Sequence, residues 1–141
     1  MITFKFAILG IPFAKQSFRF TRTGHKYQPA EVKQNEYNVR LQVINQLPKP
    51  FTPFSKAVEI LSITYAFPAP KSLKKADRLQ IEAGGYVPKT TKPDLTDNLN
   101  KGLIDALKGV VFADDSIIWR MNNVCKVYGK TPGIIIKLVG E

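Results

Sequence analysis

KPDLTDNLNKGLIDALKGVVFADDSI, residues 92–117, carries five of the chain's eleven acidic residues: Asp94, Asp97, Asp105, Asp114 and Asp115. The same chain has 21 Lys and Arg and a formal net charge of +10. Within the stretch, Pro93 disfavours helix at Lys92. DLTDN then offers Asp94, Thr96 and Asp97 as N-cap or first-turn residues, and helix signals run over 97–108. At about 100° per residue, Leu99, Leu103, Ala106 and Leu107 gather on one side, the face expected to pack on a sheet. Asp97, Lys101 and Asp105 share a polar edge. Residues 109–115 read as a turn, where Asp114 and Asp115 are at home. SIIWRMNNVCKVYG (116–129) reads as one long strand.

Outward from this stretch the chain alternates strand and helix signals. ITFKFAIL (2–9) reads as a first strand, AVEILSITYAF (57–67) as a core strand and GIIIKLV (133–139) as a final one. The spacing predicts a helix over 30–47, with Val32, Tyr37 (or Glu36), Leu41 and Ile44 roughly on one side and Pro48 and Pro50 beyond its end. A connection at 68–92 holds room for one short helix within 72–83. These elements predict an α+β fold: a single domain over residues 1–141, with a small mixed β-sheet and two main helices packed on it.

Composition narrows the class. Hydrophobic residues at 44% and charged residues at 23% are ordinary for a globular protein that buries a core. No apolar run reaches the roughly 18 residues that span a bilayer. MITFKFAILG lacks a signal peptide's cleavage site, so no membrane association is expected and a cytoplasmic location is. One cysteine, Cys125, excludes an internal disulfide, and one histidine, His25, leaves too few ligands for structural zinc. A +10 charge points to a polyanion such as nucleic acid. The segment GIPFAKQSFRFTRTGHKYQP (10–29) carries Lys15, Arg19, Arg22 and Lys26 interleaved with Phe18, Phe20 and Tyr27. That pattern suits phosphate contacts, with aromatic rings available to stack on bases.

Read blandly, Asp94 and Asp97 cap a helix, while Asp114 and Asp115 form a solvated turn. If the helix packs beside the following hairpin, however, these carboxylates converge. Clustered carboxylates repel unless a cation lies between them, and oxygen-only ligands suit Mg²⁺ or Mn²⁺. Cations that hold a phosphate backbone around an acidic metal site describe a nuclease.

The order of residues in 92–117 resembles the signature of the RusA family of Holliday junction resolvases: Pro-Asp-x-Asp-Asn-Leu-x-Lys, then Asp-Ala-Leu, then Gly and Asp-Asp before a strand. The opening GIPFAKQSFRF…GHKYQP is similar to that family's strand and basic loop. The resemblance implies a small α+β homodimer that cuts branched DNA, a four-way junction, with Mg²⁺ or Mn²⁺. It implies Asp94, Asp97 and Asp115 as metal ligands with Asp114 close by, and Lys101 as the catalytic lysine acting with Asp97 and Asp115. Asp105 matches the Asp of Asp-Ala-Leu. Two positions depart from the pattern: Asp94-Leu95-Thr96-Asp97 is one residue longer than Asp-x-Asp, and Ile117 stands where a glutamine is common. The competing reading is a non-catalytic nucleic-acid-binding protein that keeps the fold.

Overall fold

The computed structural model describes residues 1–15, 19–27 and 30–141. Along the chain run β1 (Ile2–Leu9), β2 (Arg19–Phe20), β3 (Lys26–Tyr27), α1 (Ala30–Gln46), β4 (Val58–Phe67), α2 (Lys75–Glu82) and β5 (Val87–Pro88). A single π turn (Leu95–Leu99) leads into α3 (Asn100–Leu107), and a 3-10 turn (Asp115–Ile117) into β6 (Ile118–Met121). β7 (Val124–Tyr128) and β8 (Gly133–Gly140) complete the chain. The fold is α+β: a mixed six-stranded sheet in the order β1-β8-β4-β7-β5, with β6 also on β4, and β2–β3 as a separate hairpin. No helix among the described residues is long and apolar enough to cross a membrane.

β4 is the interior strand. One edge pairs antiparallel with β8, and the other pairs in parallel with β6 and then β7. Its apolar pattern explains a kink. Val58 and Ile60 point inward, but so do Ile63, Tyr65 and Phe67, so the inward parity changes between Ile60 and Ser62. The register against β8 skips Leu61 at that point, which is a β-bulge. Opposite the bulge, the expected long strand 116–129 is broken. Residues 115–117 form the 3-10 turn, and Asn122–Asn123 separate β6 from β7. Asn123 adopts φ +50°, which asparagine tolerates. The Asn122 amide donates to Ile60 O at 3.0 Å and the Asn123 amide to Leu61 O at 3.2 Å, so both side chains serve carbonyls of the bulge.

Parallel pairing of β4 with β6 requires a long crossover, and that crossover lays α3 on the sheet. Leu99, Leu103, Ala106 and Leu107 are fully buried there, as their spacing predicts. α1 packs beside α3 with a different face from the one expected. Val39 and Val43 are buried, whereas Tyr37, Leu41 and Ile44 are exposed. The reason lies in the polar positions of the helix. Gln42 and Gln46, one turn apart, turn toward β1, and each glutamine both accepts from and donates to its backbone. Leu9 N–H donates to Gln42 Oε1 (2.8 Å), and Gln42 Nε2 donates to Leu9 O (3.1 Å). Ala7 N–H donates to Gln46 Oε1 (3.1 Å), and Gln46 Nε2 donates to Ala7 O (2.8 Å). β1 is an outer strand of the sheet, and the glutamine pair takes up edge groups that another chain would otherwise find. Arg40 closes the other side of the helix pair. Its guanidinium donates to Ala106 O (2.8 Å) and Lys108 O (3.0 Å), carbonyls left over at the end of α3.

Replacing Gln42 and Gln46 together by alanine should lower stability by about 1–3 kcal/mol, since each hydrogen bond is worth about 1 kcal/mol net and water replaces part of it. It should also promote association through the opened edge. Urea unfolding and light scattering measure these effects; an unchanged midpoint without self-association counts against the sealing role.

Candidate active site

The acidic stretch begins on a held segment. From β7, the Lys126 ammonium donates to Thr91 O at 2.7 Å and Pro93 O at 2.9 Å, pinning the backbone immediately before Asp94. The chain then enters the π turn: Leu99 N–H donates to Asp94 O at 3.0 Å, and Asn100 N–H donates to Leu95 O. A π turn holds one residue more than an α turn, and such turns concentrate at functional sites. A turn of this width has room for one residue more in Asp94-Leu95-Thr96-Asp97, and Leu99 at its end is fully buried. Asn98 fastens this turn. Its Oδ1 accepts from Asp94 N–H (3.3 Å), its Nδ2 donates to Lys15 O (3.3 Å), and its carbonyl accepts from Lys15 N–H (3.2 Å). Asn100 is held from the sheet by the Tyr65 hydroxyl, which donates to its Oδ1 at 2.8 Å. Burial pushes the Tyr65 phenol far above its usual range, so it remains a neutral donor.

Neither Asp94 nor Asp97 behaves as a cap. Asp94 occupies the N-cap position with extended backbone, yet its carboxylate makes no capping hydrogen bond. Among the described residues, the carboxylates of Asp94, Asp97 and Asp115 have no salt-bridge partner, and neither does the Lys101 ammonium; all four side chains are exposed. Asp114 differs. One oxygen meets Lys108 Nζ at 2.9 Å, and the other accepts from Ser116 Oγ at 2.5 Å and from Ser116 N–H at 3.4 Å. The Ser116 hydroxyl first, and the Lys108 ammonium second, hold its carboxyl well below the usual carboxylate range. Asp114 thus caps the 3-10 turn that presents Asp115.

Lys15, one of the expected phosphate contacts, is engaged by carboxylates from two helices. Its ammonium lies 2.6 Å from Glu36 of α1 and 2.9 Å from Asp105 of α3, with the lysine side chain only 12% exposed. Burial alone would lower its pKa, but the two carboxylates outweigh burial and raise it. Gly102 permits this approach, because a Cβ there would stand 3.0 Å from the Phe13 ring and 3.4 Å from Lys15 Cβ. Arg22 lies exposed in the β2–β3 turn, where Gly24 N–H donates to Thr21 O and Thr21 N–H donates to His25 O. The side chains of Arg19, Phe20, Lys26 and Tyr27, and all of Phe18, lie outside the described residues.

The donor set suits a hard divalent ion in chemistry: three carboxylates without salt bridges among the described residues, and no soft ligand beside them in sequence. Among the described residues, however, no three acidic, His or Cys side chains stand close enough to hold an ion by themselves. The convergence of Asp94, Asp97, Asp114 and Asp115 expected from the sequence is therefore not seen among the described residues; Mg²⁺ commonly takes only one or two carboxylates and completes its shell with phosphate and water. Lys126, Asn98, Asn100 and Tyr65 were not singled out in the sequence. For Asn98 and Asn100 a signal was available, since asparagine is a poor helix former and two of them open a helix.

The sequence profile of the family described as Endodeoxyribonuclease RusA matches residues 10–139. An uncharacterized protein of Bacillus subtilis (strain 168), YqaN, is 31% identical over 140 residues, covering 95% of this chain and 94% of that protein.

Lys15→Met should destabilise the fold by about 1–3 kcal/mol, because two partly buried carboxylates lose their partner. The folded lysine pKa is raised, so this contribution is complete below the unfolded value near 10.5 and fades as pH climbs through the folded value. Melting temperatures of wild type and variant should therefore converge above that pH. Unchanged melting at pH 7 would remove the bridging role.

Proposed function

As the chain belongs to the RusA endodeoxyribonuclease family, we propose that it is a metal-dependent, structure-selective nuclease resolving four-way DNA junctions in recombination and repair. The observation that carries this reading is the division of charge at the start of α3. In a chain of net charge +10, Asp94, Asp97, Asp115 and Lys101 are exposed with no salt bridge among the described residues, while the neighbouring Asp105 and Asp114 are engaged.

Asp97 and Asp115, joined by Asp94, would hold Mg²⁺ or Mn²⁺. Bound there, the ion neutralises charge on the scissile phosphate and acidifies water at neutral pH. Lys101, one turn beyond Asp97, donates to a phosphate oxygen as charge builds on it. Lys126 and Asn98 fix the backbone on either side of Asp94, and Asp114 fixes the turn that carries Asp115. Arg22, with Arg19 and Lys26 on the same hairpin, supplies phosphate contacts. Two symmetric cuts ask for two identical sites, so the active form is a homodimer with a two-fold axis; sedimentation giving a monomer both free and on junction DNA would remove that claim.

Cleavage of a labelled four-way junction, compared with linear duplex and with and without Mg²⁺, tests the activity. Asp97→Asn and Asp115→Asn should keep folding and junction affinity while cleavage falls by about two orders of magnitude or more, as when a single group that stabilises transition-state charge is removed. Lys101→Ala should behave likewise. A protein using these carboxylates only as caps would instead lose about 1 kcal/mol of stability in Asp97→Ala and cut as before. Near wild-type cleavage by a folded Asp97→Asn variant ends the metal-site reading.

A further inference from the structure

The segment leading to Asp94 carries a second cluster of polar groups, of opposite sign. Lys89 N–H donates to Lys126 O at 3.1 Å, continuing the β5–β7 pairing, so two lysines face each other across adjacent chains. Like charges in that position repel, and among the described residues neither ammonium has a carboxylate within salt-bridge distance. Lys126 spends two of its three N–H groups on the carbonyls of Thr91 and Pro93. The Lys89 ammonium lies 5.0 Å from the Phe67 ring centre and 5.1 Å from that of Tyr128, and donates to Thr91 Oγ1 at 2.7 Å. That oxygen is 3.3 Å from the Tyr128 hydroxyl. The Thr91 contact first, then the two lysines, draw the Tyr128 pKa below its ordinary value, as expected beside uncompensated positive charge.

Two ammonium groups and two hydroxyls thus meet with no acidic side chain among them. Their surplus is of donors, and the group it lacks is an anion. The two rings and the Thr91 hydroxyl hold the Lys89 ammonium in place, so little side-chain freedom is lost when an oxyanion arrives. The position matters as well: Thr91 is three residues before Asp94, on the backbone that Lys126 pins.

We propose that Lys89, Thr91 and Tyr128, backed by Lys126, form a phosphate subsite that grips one backbone phosphodiester of the DNA beside the bond to be cut. This rests on the nuclease reading above and assigns to it a positioning contact separate from the carboxylates and from the β2–β3 hairpin. One strand would be held on a fixed cationic seat, and its neighbouring phosphate presented to Asp97, Asp115 and Lys101.

The test is a comparison of wild type with Lys89→Met, which keeps an apolar stem between the rings and removes the charge. Junction affinity is measured in EDTA over a salt series, using junctions with a single neutral methylphosphonate at successive positions around the cut. Loss of one phosphate contact should reduce the salt slope by about one unit. One methylphosphonate position should weaken wild type several-fold yet leave Lys89→Met unchanged. Equal slopes and the same positional pattern in both proteins overturn the subsite. If Lys89→Met melts early, Tyr128→Phe, which deletes one oxygen, carries the same comparison: loss of affinity at that one phosphate supports the subsite, and no loss overturns it. A wild type that binds but does not cut overturns the nuclease reading and leaves this comparison standing, whereas a wild type that does not bind at all removes both.

Discussion

The interior strand β4 has to satisfy two different neighbours on one of its edges. Its first half pairs with β6 and its second half with β7, while its other edge runs antiparallel to β8 throughout. Every part of the candidate site is hung from this arrangement. β6 follows directly on the turn that carries Asp115. β7 supplies Lys126, which holds the backbone before Asp94. β4 itself supplies Tyr65, which holds Asn100 at the start of α3. The crossover that parallel pairing demands is the segment that contains the carboxylates: Asp94 and Asp97 precede α3, and Asp115 follows it, immediately before β6.

Sorting the acidic residues by their partners divides them into two sets. Glu36 and Asp105 share Lys15, Asp114 takes Lys108 and Ser116, and Glu59 takes Arg120 and Asn122. Each of these ties two elements together or closes a turn. Asp94, Asp97 and Asp115 tie nothing. Among the described residues these three carboxylates make no salt bridge, in a chain where basic residues are abundant. Of the lysines nearest in sequence, Lys108 is paired with Asp114, and Lys101 forms no salt bridge among the described residues.

Local periodicity was enough to read the inward face of α3 and the strands at both ends of the chain, because burial there repeats at the helical or strand spacing. Where long-range contacts decide, it misled. In α1 the exposed Tyr37, Leu41 and Ile44 outweigh Val39 and Val43 as hydrophobic signals, but the helix turns Gln42 and Gln46 toward an edge strand that lies over thirty residues away in sequence. The break at Asn122–Asn123 answers a bulge at Leu61, invisible from residues 116–129 alone. Lys15 reads as one more cation in a basic segment until Glu36 and Asp105 are brought beside it. The acidic positions themselves were legible because they follow an ordered family pattern; the groups that hold them, Lys126 and Tyr65, lie on strands whose neighbours no local pattern specifies.

The π turn at Leu95–Leu99 gives the site a mechanical independence from the fold. An inserted residue in an ordinary helix rotates everything after it by about 100°, which here would turn Leu103 and Leu107 out of the core. The wide turn takes up that rotation within five residues. Upstream, the chain remains clamped at Thr91 and Pro93; downstream, the leucines stay in phase. The spacing between Asp94 and Asp97 is thereby adjustable: loss of one residue would close the wide turn to an ordinary one and leave the leucines in phase. Evolution can retune the reach of one carboxylate here as a lens is focused, by moving a single element along a fixed barrel.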